Sequence, residues 1–406
     1  MSPPAATTVR PPLRFVLRIA GSIASVDADA WDACAGTDNP TASHAFLKAM
    51  EDTGCVGGRS GWQPQHVLLE EKAEGGGTRL IGAAPMYVKA HSYGEYVFDW
   101  GWAQAYERAG GRYYPKLQVA VPFTPVPGPR LLVRPGPQTE AVREALIRGL
   151  VEVARQCDVS SLHVTFPHAE DAQHLAAAGL MQRLGFQFHW TNRGYRTFDD
   201  FLADLSSRKR KQIRRERRDA VADGIVMRAL TGAEIEPRHW DAFFRFYMDT
   251  GSRKWGSPYL NRRFFHRLGE TMGERVLLVM AEKDGRPVAG ALNLIGRDTL
   301  YGRNWGCIGD FRFLHFETCY YQAIDWAIAH GLARVEAGAQ GEHKLQRGYL
   351  PVPTYSAHWI RDPRLAAAVE DFLRRERPAI EHEMRLLAAQ GPFRQDGEAA
   401  EAPSSA

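Results

Sequence analysis

Apolar residues recur along this chain with two different periods, and the switches between them mark out the elements. Phe15, Leu17 and Ile19 alternate with their neighbours, which predicts a strand over 13–20. Two more strands are predicted at 65–70 and 80–88, around the turn Gly75-Gly76-Gly77. From 93 to 137 neither period holds, and the segment reads as long, irregular and rich in aromatics and proline. Val142, Ala145, Leu146, Gly149, Leu150, Val153 and Ala154 then fall at helical spacing and predict an amphipathic helix. A strand at 161–166, a helix at 171–184 and a closing strand at 185–190 complete the first half.

The second half repeats this grammar. Strands at 276–282 and 288–295 flank the hairpin turn Asp284-Gly285, and a third follows at 299–305. Phe316, Tyr320, Ala323, Ile324, Ala327 and Ile328 form one helical face that stops near Gly331. A strand at 334–337, a short helix leading to Gly348-Tyr349 and a strand at 355–360 follow. Both halves end on His-Trp, His189-Trp190 in the first and His358-Trp359 in the second.

Length changes the picture by asking for two domains, because 406 residues exceed what one core fills. A content of 44% hydrophobic and 24% charged residues excludes a disordered chain, and no run approaches the ~18 apolar residues of a spanning helix. The net charge of +4 does not by itself argue for nucleic acid. Five scattered cysteines without a C-x-x-C pair suit reduced thiols in a cytoplasmic protein and no metal site. Arg14 and Arg18 interrupt the first apolar stretch, so it is not read as an export signal.

Several segments carry a family resemblance. They are the run from Tyr93 to Trp100, Tyr113-Tyr114-Pro115-Lys116-Leu117, Pro122-Phe123-Thr124-Pro125, Leu300-Tyr301-Gly302-Arg303, His315-Phe316-Glu317, and the run from Glu336 to Lys344. Across about residues 14–390 the chain resembles the FemAB-like branch of the GNAT acyltransferase superfamily, in particular its bacterial N-acyltransferases of the peptidoglycan biosynthesis type. The resemblance implies an α/β (α+β) fold of tandem GNAT-like domains, 13–195 and 196–390, packed against each other, with a basic helix at the start of the second. Residues 1–12 and 391–406 are expected to be loose tails. The implied activity is transfer of an acyl or aminoacyl group to a small-molecule or peptide amine. The implied donor is acyl-CoA, such as acetyl-CoA, or aminoacyl-tRNA.

Candidate chemistry is densest between Glu336 and Arg347. Glu336, Glu342, His343 and Lys344 lie within nine positions, with Gly338 and Gly341 among them. In a GNAT-like fold this loop borders donor and acceptor, so Glu336 or His343 is a candidate base for the amine. Glu317, in the first turn of a helix, is a further candidate base or a charge favoured by the helix dipole. Lys344 and Arg347, with Gly348 behind them, are candidates for holding donor phosphates. Arg303 and Gly306 stand near the glycine pattern of a pyrophosphate loop, but the last glycine comes one residue late and Asp310 follows it. Asp99, Trp100, Tyr114 and Lys116 in the aromatic segment, with Arg253, Lys254 and Trp255 in the second half, are candidate substrate contacts.

Arg208, Lys209, Arg210 and Lys211 open a run with eight cations in eleven residues. Such a run either bridges the domains as a solvated helix or binds a polyanion such as tRNA or an anionic surface. A second functional class therefore stays open: a non-catalytic RNA- or membrane-associated protein on a degenerate acyltransferase fold. An open cleft lined by Glu336, His343 and Lys344 would favour the enzyme.

Overall fold

The computed structural model describes residues 15–72, 76–253, 258–338 and 341–394, without the side chains of 252, 253 and 342. The first half runs β1 (Phe15–Ala20), α1 (Ala28–Ala35), α2 (His44–Asp52), β2 (Trp62–Pro64), β3 (His66–Lys72), β4 (Thr78–Ala84) and β5 (Met86–Lys89). It continues with α3 (Trp100–Arg108), β6 (Lys116–Val119), β7 (Leu132–Val133), α4 (Thr139–Gln156), β8 (Ser161–Thr165), α5 (Ala169–Ala177) and β9 (Met181–Thr191). Two helices, α6 (Phe198–Ala203) and α7 (Ser207–Ala220), lead into the second half.

There follow β10 (Ile225–Thr231), α8 (Pro237–Arg253), α9 (Arg262–Met272), β11 (Val276–Lys283), β12 (Arg286–Ile295) and β13 (Thr299–Cys307). A composite helix comes next: α10 (Leu314–Phe316), a π-turn over Glu317–Tyr321 and α11 (Gln322–Ala329). Last are β14 (Arg334–Glu336), a 3-10 turn over Glu342–Arg347, β15 (Leu350–Ile360) and α12 (Pro363–Ala389).

One sheet of eleven strands runs through both halves in the order β10-β11-β12-β13-β14-β9-β15-β8-β6-β5-β2, beside a smaller sheet β1-β3-β4-β7. This departs from the expected pair of separately sheeted domains. The two closing strands are exchanged: β9 pairs with β14 of the second half, and β15 pairs with β8 of the first. β9 and β15 also pair with each other over nine positions at the centre. About that centre the order is mirrored, with the parallel pair β13/β14 on one side and the parallel pair β6/β8 on the other.

Other differences have local causes. The helix expected over 171–184 stops at Ala177, because Gly179 takes a φ of +88° and turns the chain into β9. The run 80–88 is two strands in different sheets, divided at Pro85, which has no N–H for a ladder. The irregular segment holds α3, β6 and β7. Residues 391–394 are no tail: Ser206 N donates to Pro392 O at 2.9 Å and Arg394 N to Asp204 O at 3.1 Å. The rest of the expected tails lies outside the described residues.

Candidate active site

β13 and β14 stay paired for only three residues, Thr299–Tyr301 against Arg334–Glu336. Gly302 still lies close to the neighbouring chain, where a Cβ would sit 3.0 Å from the Glu336 carbonyl oxygen. Beyond it β13 continues to Cys307 while the other chain turns away, and a cleft of about 890 Å³ opens there. Gly302, Arg303, Asn304 and Trp305 form one wall, and Ala337, Gly341, His343 and Lys344 another. Tyr93, Tyr96, Phe98 and Trp100 reach in from the first half; Tyr247, Tyr259 and Tyr320 come from the second. Among the described residues no carboxylate lines the cleft, and Arg303 and Lys344 are the charged side chains that do.

At the mirrored place in the first half the space between the strands is crossed by the chain itself. The chain after β6 passes through it, Gly128 bridges to Pro167, and the buried Arg130 donates to Thr165 O at 2.8 Å.

His343 is exposed at the cleft, and its Nε2 lies 2.8 Å from the Tyr320 hydroxyl. Tyr320 was hidden in the sequence among the apolar positions of a helical face, and only its phenol sets it apart. Lys344 is buried, donates to Gly338 O at 2.7 Å, and is pushed down to about 8 by burial. Glu336 does not line the cleft. It is buried in β14, one carboxylate oxygen has no partner, and burial pushes it up to about 8. Its nearest basic neighbour is His189, with Nδ1 at 3.8 Å, itself pushed down to about 3 by burial and by Arg334.

Several other candidates stand away from the cleft. Glu317 is bound by Arg217 through two hydrogen bonds of 3.1 and 3.0 Å, so it faces α7 rather than the reaction space. Arg347 is buried against Glu216 and cannot hold donor phosphates, and Gly348 ends its turn at a φ of +89°. Gly306 has its Cα hard against α8, where a Cβ would meet the Phe246 backbone at 2.3 Å, so it makes no phosphate cradle. Arg303 lines the cleft, but one of its terminal nitrogens is committed to Phe123 O and Thr124 Oγ1, both at 2.8 Å, across the two halves.

Behind the aromatic wall lies a buried charged cluster. The Lys116 ammonium donates to Glu95 at 2.8 Å, to Ser92 at 2.7 Å and to Asp99. Burial pushes the Asp99 carboxyl up, but Lys116 and His163 more than reverse it and hold it below its ordinary range. Glu95 is pushed up to about 7 and Lys89 down to about 7, each first by burial. Asp99 and Lys116 therefore brace the wall from within, and of the four first-half candidates only Trp100 lines the cleft. Tyr114 reaches the back of the cluster, its hydroxyl 2.8 Å from Ser92 Oγ, and borders a separate cavity of about 420 Å³. Lys254 and Trp255 lie outside the described residues, as does the side chain of Arg253.

On α7, Arg208 and Lys211 are exposed while Lys209 and Arg210 are half-buried. The helix is tied down by Glu216 and Arg217.

The model of the FemAB-like family, described as peptidoglycan biosynthesis/recognition, matches residues 22–395, and the chain belongs to that family. No curated protein sequence matches it. Among solved structures, FemX aligns at a TM-score of 0.53 with 12% identity, over 84% of this chain and 97% of that one. The C-terminal DUF2156 domain of a protein named as a lysylphosphatidylglycerol synthetase, from Agrobacterium fabrum, gives the same TM-score and identity over 86% and 96%. A tandem GNAT protein from the clavulanic acid pathway aligns at 0.44 with 13% identity, over 86% and 99%. The fold is α+β.

Proposed function

We propose that this chain is an N-acyltransferase that moves an acyl or aminoacyl group to an amine acceptor in the cleft between its halves. The observation that carries this reading is the parting of β13 and β14, which leaves the strand edge at Gly302–Trp305 facing His343 and Lys344 across one cavity. An unpaired strand edge offers backbone N–H groups to a developing oxyanion, and the Lys344 ammonium adds a charge. His343 is the base. The amine nitrogen bonds to the acyl carbon as the C–S or C–O bond to the donor breaks. The imidazole takes the amine proton and returns it to the leaving group. Membership of the FemAB-like family supports this class of reaction and a peptide amine of the peptidoglycan type as acceptor.

The aromatic cleft, where Arg303 and Lys344 are the charged side chains among the described residues, suits a donor carrying phosphates and a stacking base, as acyl-CoA and the 3′ end of aminoacyl-tRNA both do. The packing of Gly306 removes a glycine cradle for pyrophosphate and so favours the tRNA-borne donor. Glu336 is assigned a structural part, because it is buried away from the cleft.

The test is transfer of label from acetyl-CoA, or from a mixture of aminoacyl-tRNAs, to an amine-bearing muropeptide, with mass spectrometry of what co-purifies. Consumption of neither donor, together with tight tRNA or vesicle binding, would return the protein to the non-catalytic binding class.

A further inference from the structure

We propose that Glu216, on the basic helix α7, is a positioning residue of the cleft: through Arg347 it sets the turn that presents His343 and Lys344. The inference rests on the acyl-transfer reading for its catalytic consequence, but not for its geometry.

The turn over Glu342–Arg347 has little of its own to hold it. It is 3-10, a geometry with poor internal hydrogen bonds, and glycines with positive φ stand at both ends, Gly341 at +112° and Gly348 at +89°. Its brace comes from outside. Arg347 Nη1 donates to the His343 carbonyl at 2.6 Å, while Nη2 donates to both Glu216 oxygens at 2.9 Å. The guanidinium lies over the Phe316 ring, 3.3 Å from its centroid. The same carboxylate accepts the hydroxyl of Tyr321, next to the Tyr320 that meets His343. One buried acid thus holds both the turn and the helix that meet at the His343–Tyr320 contact beside the cleft. Glu216 is also the only acid among residues 207–218 of α7, and it is 3% exposed. A charge of that sign, buried under a basic helix, is explained by what it grips.

Glu216→Gln keeps an acceptor for Tyr321 but loses the charge that holds Arg347. Lys344 is followed by ε-13C-lysine NMR against pH, a readout that needs no substrate. In the wild type burial pushes its ammonium down to about 8. In Glu216→Gln the loosened turn lets water in, and the midpoint moves up toward the ordinary lysine value of about 10.4. Turnover, once a donor is in hand, falls by about 10²-fold with KM little changed, as expected of misplaced rather than missing groups. A companion variant, Glu216→Gln with Arg347→Met, replaces the ion pair by packing and keeps the fold. It is expected to restore the melting temperature but not the Lys344 midpoint. If the Lys344 midpoint in either folded variant equals that of the wild type, Glu216 is structural only and the inference is overturned. If the midpoint moves but no donor is ever consumed by the wild type, the positioning stands and the acyl-transfer reading fails.

Discussion

Glu336 on β14 stands opposite His189 on β9, and the mirrored sheet repeats the pair as His163 on β8 opposite His358 on β15. The first pair is separated by 3.8 Å, from Nδ1 to a carboxylate oxygen; the second is a hydrogen bond of 2.7 Å between two Nδ1 atoms. Both lie where an exchanged closing strand meets the strand of the other half. The polar pairs thus mark the seam of the fold rather than its reaction space. In the second half the cleft opens beside the seam; at the mirrored place in the first half Gly128 bridges to Pro167.

Glu336→Gln is therefore expected to stabilise the protein. The carboxyl is pushed up to about 8 by burial, so it stays protonated in the folded state while the unfolded group ionises near 4.5. Between those two values the folded state binds the extra proton, and stability is lost as pH rises. The advantage of the glutamine variant should appear above pH 5, grow to about pH 8 and then level off, at a size on the order of a few kcal/mol. Thermal melts of both proteins from pH 5 to 9 measure it. A constant difference across that range would mean that Glu336 is ionised throughout. Turnover in the variant should change less than tenfold, far below the 10²–10⁴-fold of a lost general base.

Lys116→Met should be among the most damaging single changes. It leaves Asp99 and Glu95 buried together, and breaking one side of a buried pair costs about 3–5 kcal/mol. Because both acids stand on the segment that carries Tyr93, Tyr96, Phe98 and Trp100, hydrogen exchange there should quicken beyond the global loss. Adding Asp99→Asn should recover part of the stability. A double variant no better than the single one would show that the two groups do not act on each other.

The repeated His-Trp endings were legible because each closes a strand at the same place in the mirrored sheet. Of the loop from Glu336 to Lys344, His343 and Lys344 do line the cleft, while Glu336 does not. What the sequence hid was long-range. Nothing local to Glu317 says that Arg217, a hundred residues away, binds it. Nothing around Lys116 says that its partners lie on a loop before it rather than in a ligand. Strand exchange was likewise invisible, since β9 and β15 have the same pattern whichever neighbour they join. The long α12 is hard to see in the sequence because Pro378 stands inside it and its buried residues, Leu365, Val369 and Leu373, all fall in its first half.

His343→Ala should lower turnover by 10²–10⁴-fold while shifting the melting temperature little, because the side chain is exposed. Lys344→Met should show a different signature. Burial pushes the wild-type ammonium down to about 8 from 10.5, so the unfolded state binds the extra proton between those values and wild-type stability rises with pH there. The methionine variant should be the more stable at pH 7, with an advantage that fades by about pH 10.5. Donor affinity should run the other way and weaken in the wild type as pH passes 8 and the charge is lost. Melts and donor titrations across that range test both, and affinity that is flat through pH 8 would remove Lys344 from donor binding.

Replacing Arg208, Lys209, Arg210 and Lys211 together with alanine should weaken tRNA binding without unfolding the protein. The ties that hold α7 are Glu216 to Arg347 and Arg217 to Glu317, and none of the four replaced residues takes part in them. Arg208 and Lys211 are exposed one turn apart, and the apolar contact of the helix, Ile213, is turned inward. No apolar face is left for insertion into a lipid layer, so this face would hold either tRNA or an anionic surface by charge alone. Each cation that neutralises a phosphate releases counterions, so affinity falls with salt at a slope set by the number of contacts. The fourfold variant should bind more weakly at low salt and with a shallower slope, while its melting temperature stays within a few degrees of wild type. Equal affinity and equal slope would leave α7 as a brace for the cleft alone. A loss of binding to anionic vesicles, with tRNA binding intact, would assign the face to a lipid surface instead.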